Sequence, residues 1–253
     1  MIKLANPKYD SNGVLVIKDD EIELLAYRQL RDYQRGYFKE PHALDVDDFV
    51  ENYLGIKVGY HILSLDQSKL GATALADGIL PILDSNGEVS FREVKKGQVF
   101  VDCQACRDIE TSIRFTLGHE AGHSQFDTNV DLKRLDISDS ISDTYHDSFG
   151  QRKGYGRRTP REWMEHHANR YAVYILMPKA FVKKLWKKYH DKFFLGKRIT
   201  SNSPKRLWKV IHDIAADLCV AQSSIAFRLA ELGIISREML DSLKMNNKRE
   251  GEQ

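Results

Sequence analysis

The chain has 253 residues and a mass of 29.1 kDa, the size of one compact domain with a small appendage. With 42% hydrophobic and 29% charged residues it reads as a soluble globular protein, not a disordered or fibrous one. The net charge of +2 hides an asymmetry: residues 178–253 hold 16 Lys and Arg against 8 Asp and Glu, and residues 1–177 hold 22 against 28. A basic C-terminal part on an acidic body hints at an acidic partner or nucleic acid, although a solvated basic surface is the favoured explanation.

The opening residues, Met-Ile-Lys-Leu-Ala-Asn-Pro-Lys, hold no apolar stretch of signal-peptide length. The longest apolar run, near Leu70 to Leu83, is broken by Asp77 and Pro81 and is too short to span a bilayer. Three cysteines make a poor disulfide framework. The expectation is a cytoplasmic protein with no membrane partner. Cys103-Gln-Ala-Cys106 is a lone pair, with Cys219 the only other thiol, and reads as incidental.

Residues 19–38 place Ile22, Leu25, Leu30, Tyr33 and Tyr37 among charges and predict an amphipathic helix. Asp45-Val-Asp-Asp48 predicts the cap of a second helix ending near Leu54-Gly55. Five strand-like pieces follow, Lys57–Leu63, Ala72–Ala76, Ile79–Leu83, Glu88–Val94 and Gln98–Val101. Turn signals at Asp84-Ser-Asn86-Gly87 and Lys96-Gly97 separate them and suggest a small antiparallel meander. Either Gln98–Asp102 or Ala72–Ala76 could be an edge strand to which an extended peptide adds.

The meander leads into Arg114-Phe-Thr-Leu-Gly-His119-Glu120-Ala-Gly-His123. Asp108 as cap, Glu110 in the first turn and apolar residues at helical spacing predict a helix. Side chains four apart lie one turn apart on one face, so His119 and His123 can aim at a common point, as zinc ligands do. Glu120 projects about 100° round from His119, beside the metal rather than on it, where it can deprotonate a water.

A catalytic zinc site has three protein ligands and an open position. The extended spacing that adds a third histidine on the same stretch is missing, because its positions hold Phe126 and Asn129. A second helix is legible. Thr159-Pro160-Arg161-Glu162 reads as a capping box with proline at the first helical position, and Pro178 ends the run. Glu165, Ala168, Asn169, Ala172, Ile175 and Leu176 share a face, and the alanines, with Gly122 on the first helix, permit close approach. Glu165 would face the histidines, and Asn169 could hydrogen-bond one of them. Spacing alone leaves Glu165 open between a ligand and an ordinary surface glutamate, with Asp127 and His146 as fallback ligands.

Taken together, Arg114–His123 and Glu165-x-x-Ala168-Asn169-Arg-Tyr171-Ala172-x-x-Ile175-Leu-Met-Pro178 resemble the ImmA/IrrE family of zinc metallopeptidases. The departures are mild: Gly118 for the usual alanine, Ala121 for leucine, Tyr171 for phenylalanine and Ile175 for leucine. The resemblance covers roughly residues 44–235. It implies one Zn²⁺ held by His119, His123 and Glu165 in a gluzincin-like site. It also implies limited cleavage of a regulatory protein, typically a transcriptional repressor, in stress response or mobile-element control.

Between the motifs, residues 124–158 form a stretch long for that family, acidic at Asp127, Asp131, Asp136, Asp139, Asp143 and Asp147 and basic near Arg152–Arg158. It suits either a lid or a simple insertion. Tyr145, His146 and Tyr155 on it, and His166 and His167 on the second helix, are candidate stabilisers of a tetrahedral oxyanion, each more readily explained structurally. After Pro178, a lysine-rich amphipathic helix spans Lys179–Tyr189. Pro204–Leu218, a turn at Cys219-Val-Ala and Gln222–Leu232 resemble a helix-turn-helix, a segment the family often carries. Base contacts would fall to Gln222, Ser223 and Ser224, with Arg228 the one basic residue of the second helix. Packing or partner binding is favoured there over DNA reading. The polar tail from Asn246 reads as disordered.

The expected architecture is therefore α+β and zincin-like, with a small antiparallel sheet packed on the zinc helix. The expected segments are an N-terminal helical extension (1–40), the metallopeptidase domain (41–190), a helix-turn-helix-like part (200–240) and a tail (241–253). The expected activity is zinc-dependent proteolysis with Glu120 as base. The competing expectations are a non-proteolytic regulator that binds DNA or a repressor, and one half of a toxin–antitoxin pair.

Overall fold

The computed structural model describes residues 2–4, 6–105, 110–130, 158–194 and 204–241, and the backbone of 141–145. The protein is mixed α+β and divides into two compact units. The first comprises residues 1–35 and 45–175, and the second residues 36–44 and 176–253.

In the first unit, α1 (Asp19–Tyr33) begins with three acidic residues at its positive end, and Glu21 accepts a hydrogen bond from Lys18 N–H. The helix stops at Tyr33 rather than running on to residue 38, because Gly36 adopts φ +80 and breaks the repeat. Its buried Gln29 ties it to the rest of the unit. The amide donates to Ile2 O and Gln125 Oε1, and its oxygen accepts from Tyr171 O–H at 2.7 Å. Asp45 caps α2 (Val46–Asp48) as expected, accepting from Asp48 N–H, and the helix continues as a π-helical turn over Phe49–Tyr53.

All five predicted strands form: β1 (Val58–His61), β2 (Lys69–Ala74), β3 (Gly78–Leu83), β4 (Val89–Val94) and β5 (Val99–Asp102). They are not a plain meander. The β3–β4 hairpin stands as a separate two-stranded sheet, and β5 returns between β1 and β2, parallel to β1 and antiparallel to β2. A sixth strand, β6 (Ile141–Tyr145), lies within the stretch read from sequence as irregular and pairs antiparallel with β2. The sheet order is β1-β5-β2-β6. Neither Ala72–Ala76 nor Gln98–Asp102 is therefore an edge among the described strands, because β6 covers β2 and β1 covers β5.

Ala72, Ala74, Leu80, Val94 and Phe100 bury together and hold the hairpin against the main sheet. At the end of β5, the buried Asp102 carboxylate accepts backbone N–H bonds from Leu63, Gln104 and Ala105, which fixes the exit of the sheet. The helix α3 (Glu110–Phe126) then packs on β2 and β5. The proposed cap Asp108 and Cys106 lie outside the described residues, as does the tail from Asn246; Cys103 is exposed and forms no disulfide among the described residues.

The helix α4 (Pro160–Leu176) starts in the expected box: Glu162 accepts from Thr159 N–H, and Thr159 Oγ1 accepts from Glu162 N–H. It crosses α3 at small residues. A Cβ built on Gly122 would lie 2.7 Å from Ala168 Cα, so only glycine allows this approach.

In the second unit, α5 (Lys179–Phe194), α6 (Pro204–Leu218) and α7 (Gln222–Glu231) bury Phe181, Leu185, Ile211, Ile214, Ile225 and Leu229. Tyr37 stacks on Phe181, and Tyr189 O–H donates to Asp217. The chain turns by 106° between α6 and α7, with Cys219 at φ 50 in the corner. Among the described residues no single helix is long and apolar enough to cross a membrane.

Candidate metal centre

The α3 helix presents His119 and His123 one turn apart, 1% and 0% exposed. Their Nε2 atoms lie 3.0 Å from each other. From α4, Glu165 brings Oε2 to 3.4 Å from His119 Nε2 and Oε1 to 3.5 Å from His123 Nε2. One ligand atom from each of the three lies within 4.8 Å of the others, a grouping that could hold a metal ion. Metal bonds of about 2.0–2.1 Å in tetrahedral array put neighbouring ligand atoms about 3.3 Å apart. The observed spacings fit that requirement, and the N, N, O donor set suits zinc and other borderline divalent ions.

Both imidazoles are oriented from behind. His119 Nδ1–H donates to Asn169 Oδ1 at 3.1 Å, the role expected of Asn169. His123 Nδ1–H donates to Asp127 Oδ2 at 2.6 Å, four residues on, just past the end of α3, and fully buried. Because both partner atoms are acceptors, each ring keeps a proton on Nδ1, which leaves each Nε2 to an ion bound at the common point. Asp127 thus lies outside the grouped residues and anchors one of them. Its i, i+4 spacing from His123 was the available signal for that role.

The charges are strongly coupled. Burial works to lower the His123 pKa, but the Glu165 and Asp127 carboxylates outweigh it and hold the imidazole well above its ordinary value. Glu165, 32% exposed at its side chain, is opposed by burial yet driven far below the usual carboxylate range by the two histidines. Burial raises Asp127, and the His123 bond only partly offsets it. A cation enclosed by these groups would replace the protons that otherwise balance them.

Glu120 is fully buried and is not one of the three grouped residues. Its Oε2 accepts from Thr73 Oγ1 on β2 at 2.5 Å, a contact 47 residues away in sequence that no local pattern announces.

The oxyanion candidates fare differently. Tyr145 ends β6, opposite Lys69, and His146 and Tyr155 lie outside the described residues. His166 commits Nε2 to Asp19 Oδ1 at 2.7 Å. His167 is 1% exposed, stacks on Trp163, packs edge-on against Phe126 and has no hydrogen-bond partner on either nitrogen among the described residues. Burial, ahead of its charged neighbours, pushes its pKa down to about 4, so it stays neutral. The surroundings of these last two histidines are those of packing residues.

No model of a known protein family matches the chain, and no curated protein matches it significantly. The chemistry of the site rests on its own geometry.

Proposed function

We propose that this chain is a zinc-dependent endopeptidase with a zincin-like fold, related to the ImmA/IrrE metallopeptidases, that makes limited cuts in an intracellular regulatory protein, a transcriptional repressor. The observation that carries the reading is the closure of His119, His123 and Glu165 round one point, with a buried glutamate, Glu120, next to His119 in the chain and outside that group. A site kept only to hold a structural ion needs the ligands but no adjacent carboxylate.

In this reading His119, His123 and Glu165 hold the ion, and Asn169 and Asp127 fix the imidazoles. A bound zinc supplies Lewis acidity to the scissile carbonyl and acidifies the attacking water. The Glu120 carboxylate accepts the proton of that water and returns it to the leaving amine. The buried surroundings of Glu120 keep bulk water from competing for the proton.

Direct DNA reading by the helix-turn-helix-like α6–α7 pair is not part of the proposal. Arg228, the one cation of α7, is 2% exposed and donates to Met177 O and Glu231 Oε2. A packing role suits it better than a phosphate contact.

The test is a library of internally quenched peptides offered to the zinc-loaded protein, to Glu120→Gln and to the protein with chelator. Cleavage by the first alone, with about one zinc retained by the variant, is the expected result. Zinc-free purified protein that cannot be loaded, or a Gln variant as fast as the parent, overturns the reading.

A further inference from the structure

The strand β2 does more than pack beneath α3. Two residues on it, Gly71 and Thr73, lie on one face, two apart, as strand geometry dictates. Both meet the Glu120 side chain. A Cβ built on Gly71 would fall 2.9 Å from Glu120 Cγ, 2.9 Å from Glu120 Oε1 and 2.7 Å from Thr116 Cγ2. The side chain of Glu120 therefore lies in a slot that exists because residue 71 has none. On the other side of the slot, the Thr73 hydroxyl reaches Glu120 Oε2 at 2.5 Å and Glu120 O at 3.0 Å. A hydroxyl carries a single proton, so the shorter contact, to the anionic oxygen, is the donated bond. Thr73 is fully buried, and its β-branched side chain has few rotamers to choose from.

We propose that Thr73 is a positioning residue for Glu120: its hydroxyl holds Oε2 and fixes the pose of the carboxylate, while Gly71 leaves the room for that pose. This rests on the proteolytic reading above. A flexible glutamate in an open cleft would spend most of its time in other rotamers. A fixed acceptor near 3 Å from the reacting water removes that search. The Thr73 hydroxyl bonds to Glu120 and, among the described residues, to none of His119, His123 and Glu165, so its loss acts on the base and not on the ion.

Three variants separate this from a purely structural bond. Thr73→Val keeps shape and removes the donor. Thr73→Ser keeps the donor. Gly71→Ala keeps the donor and fills the slot. Each is measured with the internally quenched peptide that wild type cleaves fastest in the library, alongside zinc content. Thr73→Val and Gly71→Ala are expected to lower kcat by about 10- to 100-fold with KM within about 3-fold and zinc at the parent level. Thr73→Ser is expected to recover most of the rate. In crystals of the zinc-loaded Thr73→Val protein, the Glu120 carboxylate should leave its wild-type position. Wild-type kcat in Thr73→Val, or Glu120 unmoved in its crystals, overturns the positioning role while leaving the peptidase reading intact. A Glu120→Gln variant as fast as wild type instead sinks the peptidase reading itself, and the positioning role falls with it.

Discussion

Replacing Gly122 with alanine tests whether the metal centre depends on how closely two helices approach. The new Cβ would sit 2.7 Å from Ala168 Cα, 3.1 Å from Ala168 O and 3.3 Å from Ala168 Cβ. Carbon atoms pack at about 3.5–4.0 Å, so α3 and α4 must part by about 1 Å. Strain of that kind costs about 1–3 kcal/mol. The gain from alanine over glycine inside a helix, about 1 kcal/mol, offsets part of it. Gly118, one turn earlier on α3, is the control. Its added Cβ would meet Ala172 Cβ and Ile175 Cδ1 at 3.4 Å, close to ordinary contact, so Gly118→Ala keeps most of the helical gain. Gly122→Ala should therefore be about 1–3 kcal/mol less stable than Gly118→Ala in urea unfolding with chelator present. Zinc affinity should also fall, by about tenfold, since the parting helices carry Glu165 away from the imidazoles. Equal urea midpoints and equal zinc affinities for the two variants would show that the crossing is not tight in the sense argued.

Two further outcomes follow from the same site. Asp127→Ala removes the anchor of His123 and should weaken zinc binding by about 10- to 100-fold in competition with a chromophoric chelator, with Asp127→Asn intermediate; an unchanged affinity would mean that the ring needs no anchor. The pH dependence should invert with metal. In the metal-free protein, the raised His123 pKa contributes stability fully present below its ordinary 6.5 and lost as pH rises through the folded value. The lowered Glu165 pKa contributes stability present above its ordinary 4.5 and lost as pH falls through the folded value. Their attraction is thus complete between about pH 4.5 and 6.5. Above that window metal-free stability should decline while zinc affinity climbs, with proton release seen by calorimetry in two buffers of different ionisation enthalpy.

Much of the site could be read from the chain because its signals are local. The i, i+4 histidines, the Thr159–Glu162 box, the small residues at 122, 168 and 172 and the turn glycines each act within a few residues, and the structure carries them. What escaped was set at long range. The parallel pairing of β1 with β5 joins residues about forty apart, and no periodicity encodes it. The segment Ile-Ser-Asp-Thr-Tyr of β6 is polar and short, so its acidic surroundings masked it until its pairing with β2 was seen. Thr73 looks like any strand threonine until α3 lies over it. The C-terminal pair α6–α7 was legible as helices, but the burial of Arg228, which decides what α7 can touch, depends on Met177 far upstream.

The three candidate ligands straddle the chain between α3 and α4, two contributed before it and one after. An ion captured there works as a rivet through both helices, much as a disulfide would, and pins the two ends of the intervening chain together. Closing such a loop becomes only about 0.6 kcal/mol costlier when its length doubles. Residues can thus be gained or lost between the helices, outside β6 and its pairing with β2, at little expense to the riveted ends.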